Sequence, residues 1–194
     1  VRETLAGGDL LGRQHRADVA AIASPLYEGT LYGGGNPMDG IKWSDDQLRA
    51  RFKLSDRQIM LYHEALSAVK VSMDELAKSI ISQHAKANSV NFDSDLPIGE
   101  MASGVIRRLE EARQDLDALL DPSEQERVDG EVADLREMDM NDEADRLKRD
   151  FARDRKNAAL GVERIDKTIE DVQGIVVKNQ ALQDAGYFPL MRFG

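Results

Sequence analysis

"SDRQIMLYHEALSAVKVSMDELAKSIISQHAKA", residues 55–87, decides the fold class. Ser55 with Gln58 three residues on has the form of a capping box, in which each side chain takes up a backbone N–H that the first helical turn leaves without a partner. Behind it Ile59, Tyr62, Leu66, Val69, Met73, Leu76 and Ile80 follow at spacings of three, four, three, four, three and four. That alternation places all of them on one stripe of a helix and predicts a coiled-coil-like face. The stripe stops near Asn88, where "NSVNFDSDLPIG" supplies turn residues.

The same period recurs downstream. Ala102, Val105, Leu109, Ala112, Leu116 and Leu119 form a second stripe, closed by Asp121-Pro122, and its alanines allow a partner helix to approach closely. From Asp121 to Asp150 the chain carries twelve Asp or Glu against five Lys or Arg, yet Val128, Val132, Leu135 and Met138 still give it one apolar face. A third stripe, Ala158, Val162, Ile165, Ile169, Val172 and Val176, belongs to a helix expected from near Asn141 to about Ala185. Leu147 and Phe151 join that stripe only after a one-residue change of register, so a local unwinding is expected near Asp154. Gly161 and Gly174 each weaken the helix by roughly 1 kcal/mol relative to Ala, which packing must offset.

Upstream, breakers dominate: Gly7-Gly8, Gly12, Pro25, Gly29, Gly33-Gly34-Gly35, Asn36-Pro37 and Gly40. A helix from about Leu10 to Ala23, ended by Pro25, is expected, then loop, then a short helix from Ser44, capped with Gln47, to about Phe52. The expected fold is all-α: an elongated antiparallel helical bundle with heptad stripes, residues 55–194, preceded by an irregular Gly-rich segment of short helices and loops, residues 1–54.

Composition narrows function. A net charge of −10 and a pI near 4.8 repel phosphate backbones and acidic membranes, so neither nucleic acid nor membrane is an expected partner. The absence of cysteine removes disulfides, thiolate metal sites and a cysteine nucleophile. A start at Val1 and an end at Gly194 are expected of a segment of a longer polypeptide.

No complete catalytic or cofactor motif appears. Gly33-Gly34-Gly35 lacks the Gly-Lys-Ser/Thr that opens a phosphate-binding helix, and Asn36-Pro37 follows instead. Asp139, Asn141 and Glu143 stand at the first, third and fifth positions of a calcium-loop pattern, but Ala144 replaces its turn glycine and Asp150 its bidentate Glu. His63-Glu64 begins a zinc-protease pattern whose second histidine is Ser67. His15 and His84 stand apart, and Trp43, Tyr27, Tyr32 and Met38 are expected to plug one end of the bundle. The expectation is therefore no enzyme, no cofactor and no metal.

The chain ends "GYFPLMRFG", residues 186–194. Gly186 can cap the preceding helix at positive φ, Tyr187 and Phe188 can fold back on its apolar face, Pro189 prevents continuation, and Arg192 can face the terminal carbonyls. Pro189-Leu190-x-Arg192-Phe193-Gly194 behind a long charged helix resembles the motif of the PLxRFG-domain proteins, very large multidomain polypeptides of tailed bacteriophages and prophages. "KLSDRQIMLYHEALSAVKVSMDELAKS", from Lys53 to Ser79, resembles the helical segment that precedes the motif there, so the resemblance spans Lys53 to Gly194. It implies a structural or packing module in a virion component that enters the host cytoplasm with the genome, with adjacent domains of the same polypeptide or other virion and host proteins as partners. No catalytic residue attaches to this segment in the family. The expected junction or docking residues are Tyr187, Phe188, Pro189, Leu190, Arg192, Phe193 and Gly194. A homodimer, or a module that binds a host or virion partner through an exposed helix face, is the alternative expectation.

Overall fold

The computed structural model describes residues 2–31, 38 and 40–189, and the side chains from Leu11 onward. These form an all-α helical bundle. Its helices are α1 (Arg2–Leu31), α2 (Asp45–Phe52), α3 (Asp56–Ala87), α4 (Ile98–Leu120), α5 (Pro122–Glu137) and α6 (Asn141–Asp184). The chain divides into two compact units, Val1–Ala77 with Val177–Gly194, and Lys78–Val176. The division expected at residue 54 is not where they part. Leu54, Ile59 and Tyr62 are buried in one cluster with Ile22, Leu26, Trp43 and Leu48, so the N-terminal segment and the first turns of α3 share a core.

Within the first unit the capping boxes at Ser44 and Ser55 both close. Ser44 Oγ accepts from Gln47 N–H and the Gln47 side chain accepts from Ser44 N–H, at 3.3 and 2.9 Å. Ser55 and Gln58 repeat the exchange at 3.3 and 3.0 Å. Helix α1 departs from expectation, because it begins far upstream of Leu10 and continues past Pro25 to Leu31. An interior proline costs about 3 kcal/mol through its missing N–H and its clash with the preceding turn. Tertiary contacts offset this: Pro25 and its neighbours Ile22 and Leu26 are buried, and the Trp43 indole N–H donates to the Pro25 carbonyl at 2.9 Å.

The stripe of α3 is buried at Ile59 and Tyr62 and half-buried at Leu66, Val69 and Met73, but Leu76 and Ile80 are 64 % and 36 % exposed. From there the buried positions are Ala77, Ile81 and Ala85, each four residues on. An α-helix of 3.6 residues per turn drifts about 20° per heptad against a strict 3.5 repeat, so without supercoiling the contact face moves to the adjacent row.

In the second unit Ile81 and Ala85 of α3 pack with Met101, Ala102, Val105 and Leu109 of α4 and Ile165 and Val172 of α6, and Val90, Phe92 and Leu96 of the connecting loop pack against this core. Each fully buried Ile, Leu, Val or Met stabilises by about 1.5–3 kcal/mol relative to exposure. Helices α4 and α6 run antiparallel: Arg113 meets Asp166 at 2.7 Å, Leu116 faces Gly161, and the Leu120 carbonyl accepts from Arg155 at 3.0 Å, so one numbering rises as the other falls. A smaller core, Val128, Val132 and Ala144 with Leu135, Leu147 and Phe151, joins α5 to the start of α6. Asp121 starts α5 by accepting from Ser123 N–H at 2.8 Å, with Pro122 in the first turn, where no N–H is needed.

The unwinding expected near Asp154 is absent, since α6 is continuous. Arg155 supplies the physical reason. It occupies the inward position between Phe151 and Ala158, lies 5.8 Å from the Phe151 ring, and donates to Gln125 Oε1 and the Leu120 carbonyl. A polar side chain thereby carries the contact row through the register change that the apolar pattern alone leaves open.

Candidate functional site: the junction after the last long helix

Helix α6 ends as its sequence dictates. Gly186 has φ 65°, its N–H donates to the Gln183 carbonyl at 3.0 Å, and Tyr187 N–H reaches the Leu182 carbonyl at 3.0 Å. This pair of bonds is the Schellman motif, which satisfies carbonyls the helix end would otherwise leave open. Gly186 is buried, and a Cβ on it would lie 2.9 Å from Lys42 Cα. Only glycine fits both the left-handed conformation and the proximity of another backbone.

Beyond the turn the chain is tied to α1. Phe188 N–H donates to Thr30 Oγ1 at 3.0 Å, while the Thr30 hydroxyl lies 3.0 Å from the Leu26 carbonyl. The Phe188 ring stands edge-on to Tyr27, centroids 6.0 Å apart. The segment through Ile41 and Trp43 is fixed by the same elements: Ile41 N–H donates to the Gly29 carbonyl at 2.8 Å, and Trp43 N–H to Tyr62 Oη at 3.3 Å. A Cβ on Gly29 would collide with the Ile41 carbonyl oxygen, so α1 also needs glycine where this segment crosses it. Burial pushes the Tyr62 phenol above its ordinary pKa, partly countered by the Trp43 N–H.

Of the residues expected at the junction, Tyr187, Phe188 and Pro189 are half-buried in this clasp. Leu190, Arg192, Phe193 and Gly194 lie outside the described residues, as do Tyr32, Gly33-Gly34-Gly35 and Asn36-Pro37. The aromatic set expected as an end plug is divided: Trp43 is buried in the core, whereas Tyr27 and Met38 are exposed on the surface.

The calcium-loop pattern is part helix. Asp139 occupies a left-handed turn at φ 61° and Asn141 begins α6, its amide donating to Asp139 Oδ1 at 3.2 Å. His63 Nε2 lies 2.6 Å from Asp45 Oδ1 at the start of α2, a tie between helices.

Three polar groups escaped the sequence reading. Asp18, 1 % exposed, lies with Oδ2 3.0 Å from Arg57 Nε while Oδ1 accepts from Gln14 and Gln58. Asp74 Oδ1 accepts from both Asn179 and Gln183 at 2.7 Å. In the second unit Asn88 donates to Thr168 Oγ1 at 3.2 Å. A polar residue inside a helical pattern reads alike whether it faces water or another helix, so only the bonds themselves reveal these fasteners.

Beside the terminal turn lies an open groove of about 330 Å³, with Leu66, Val69 and Met73 of α3 on one side and Gln180, Asp184 and Tyr187 on the other. Comparison of the chain with protein-family models, with curated proteins and with solved structures finds no match.

Proposed function

We propose that this chain is a non-enzymatic structural and packing module of a very large phage-encoded protein, a virion component delivered into the host with the genome. The observation that carries this reading is the junction: Pro189-Leu190-x-Arg192-Phe193-Gly194 follows directly on a Schellman stop whose glycine is buried against Lys42 and whose Phe188 is bonded to Thr30. A segment so anchored can hold the next part of a polypeptide at a fixed exit. The buried or half-buried polar side chains Asp18, Asp74, Asn88, Thr168 and Asn179 are engaged in bonds between helices or along them, which suits a packing role. Mass spectrometry of phage particles purified from the source host tests the reading. Peptides of this chain co-sedimenting with capsid proteins are expected, and their confinement to the particle-free fraction would refute it.

A second reading, an interaction module that engages a host or virion partner through an exposed helix face, is favoured by Leu76. It continues the apolar stripe of α3 and is nevertheless 64 % exposed. Replacement of Leu76 by serine leaves partner binding unchanged if the first reading is complete.

A further inference from the structure

The groove beside Gly186 has a chemistry of its own. Its lining is apolar at the half-buried Leu66, Val69 and Met73, and it also includes residues that carry donors, Lys42, Lys70, Ser67 and Tyr187. Neither lysine side chain has a hydrogen bond or ion pair among the described residues. The one carboxylate on the rim, Asp184, already accepts from Gln180 at 2.8 Å, and the Gln183 amide is committed to Asp74. His63 is engaged by Asp45. Two cations without an ion-pair partner among the described residues, beside an apolar floor, make the groove complementary to a ligand that carries both carboxylates and an apolar group.

We propose that this groove binds a peptide segment carrying acidic side chains beside an apolar anchor. The carboxylates pair with Lys42 and Lys70, and a Leu- or Met-sized side chain covers the floor formed by Leu66, Val69 and Met73. The cavity volume suits one to three side chains rather than a folded domain, so the partner presents a short segment. The proposal does not depend on the phage reading, and either can fail without the other.

Fluorescence anisotropy of the full chain with a fluorescein-labelled hexapeptide of alternating Glu and Leu tests it, with the Gln/Leu and Lys/Leu peptides in parallel. Saturable binding of the Glu peptide that weakens with salt is expected, because exposed ion pairs are screened. Lys42→Glu with Lys70→Glu should lower its affinity by about tenfold or more and admit the Lys peptide instead. Should Lys42→Glu disturb folding, as judged by circular dichroism, Lys70→Glu alone carries the comparison. Equal binding of the Gln peptide, undiminished binding by the lysine variants, no saturable binding of the Glu peptide, or its displacement by decanoate but not by unlabelled peptide overturns the proposal.

Discussion

Replacing Gly186 by alanine puts the junction to its sharpest test. At φ 65° an L-residue pays the left-handed penalty of about 1–2 kcal/mol. The new methyl group also meets Lys42 Cα at 2.9 Å and Lys42 N at 3.1 Å. Those are backbone atoms, so no rotamer change relieves the contact, and displacing the segment adds about 1–2 kcal/mol by analogy with overpacked cores. The expected total is about 2–4 kcal/mol, a fall in Tm of about 5–15 °C for a chain of this size. The single tryptophan, Trp43, lies beside Lys42 and is buried, so its fluorescence in urea titration reports the loss where it occurs, while far-UV circular dichroism reports all the helices. Gly186→Asn separates the two causes. Asparagine tolerates the left-handed region but still carries a Cβ, so about half of the loss should remain. Destabilisation by alanine of under about 0.5 kcal/mol, the scale of an ordinary surface change, would refute the contact argument; so would an asparagine variant as stable as the parent.

Gly161→Ala and Gly174→Ala should part company in the same assay. Alanine at 174 meets nothing within 4 Å and should gain up to about 1 kcal/mol, whereas at 161 its Cβ would lie 2.7 Å from Leu116 Cδ1, and that clash should cancel or reverse the gain. Trp43→Phe removes the indole donor to the Pro25 carbonyl and should cost about 0.5–1.5 kcal/mol, read by circular dichroism melting, with Trp43→Phe as stable as the parent counting against that bond. Hydrogen bonds from Ser123 and from Arg113 hold the Asp121 and Asp166 carboxyls below their ordinary value of 3.8. Folded-state values that are lowered stabilise above the ordinary range and lose that contribution as pH falls through them. Asp121→Asn and Asp166→Asn should therefore be destabilising near neutrality, and their difference from the parent should shrink below pH 3.8 in urea titrations repeated across pH. Ser89→Gly, which relieves a left-handed residue at φ 56° on the exposed end of α3, should gain about 0.5–1 kcal/mol in thermal melts.

What the sequence made legible was local. The capping boxes at Ser44 and Ser55, the span of α6 and the stop at Gly186 each depend on residues within one or two turns of each other. Where the deciding partner is distant, the reading failed or fell silent. Helix α1 passes Pro25 where Ile22, Pro25 and Leu26 are buried and Trp43, eighteen residues on, donates to the Pro25 carbonyl, and no local rule contains those contacts. Phe188 finds Thr30 across 158 residues. Leu76 belongs to the apolar stripe by spacing, but whether a stripe is covered depends on where its partner helix sits, which periodicity does not encode. Arg155 presents the converse: a charged residue in an apolar register position looked like a break, and long side chains that bury their stems while their heads find carbonyls make it a continuation.

Helix ends in this chain show why the junction could be read at all. Helices α3, α5 and α6 finish on the same pattern: Ser89, Asp139 and Gly186 are left-handed, and the residue after each donates to the carbonyl five positions back, Val90 to Ala85, Met140 to Leu135 and Tyr187 to Leu182. Only one of the three is glycine. Ser89 and Asp139 are exposed, so a Cβ in the left-handed region costs about 1–2 kcal/mol and nothing more. Gly186 is buried with Lys42 Cα within 2.9 Å of where a Cβ would stand, so a side chain there would cost the strain and the contact together. The choice of residue therefore records whether another segment lies against the turn. In a chain whose other left-handed helix ends among the described residues fall on Lys53, Ser89 and Asp139, the glycine before Tyr187-Phe188-Pro189 marks the end at which two parts of the polypeptide meet, and it places both the clasp to α1 and the adjoining groove at the point where the chain leaves its last long helix.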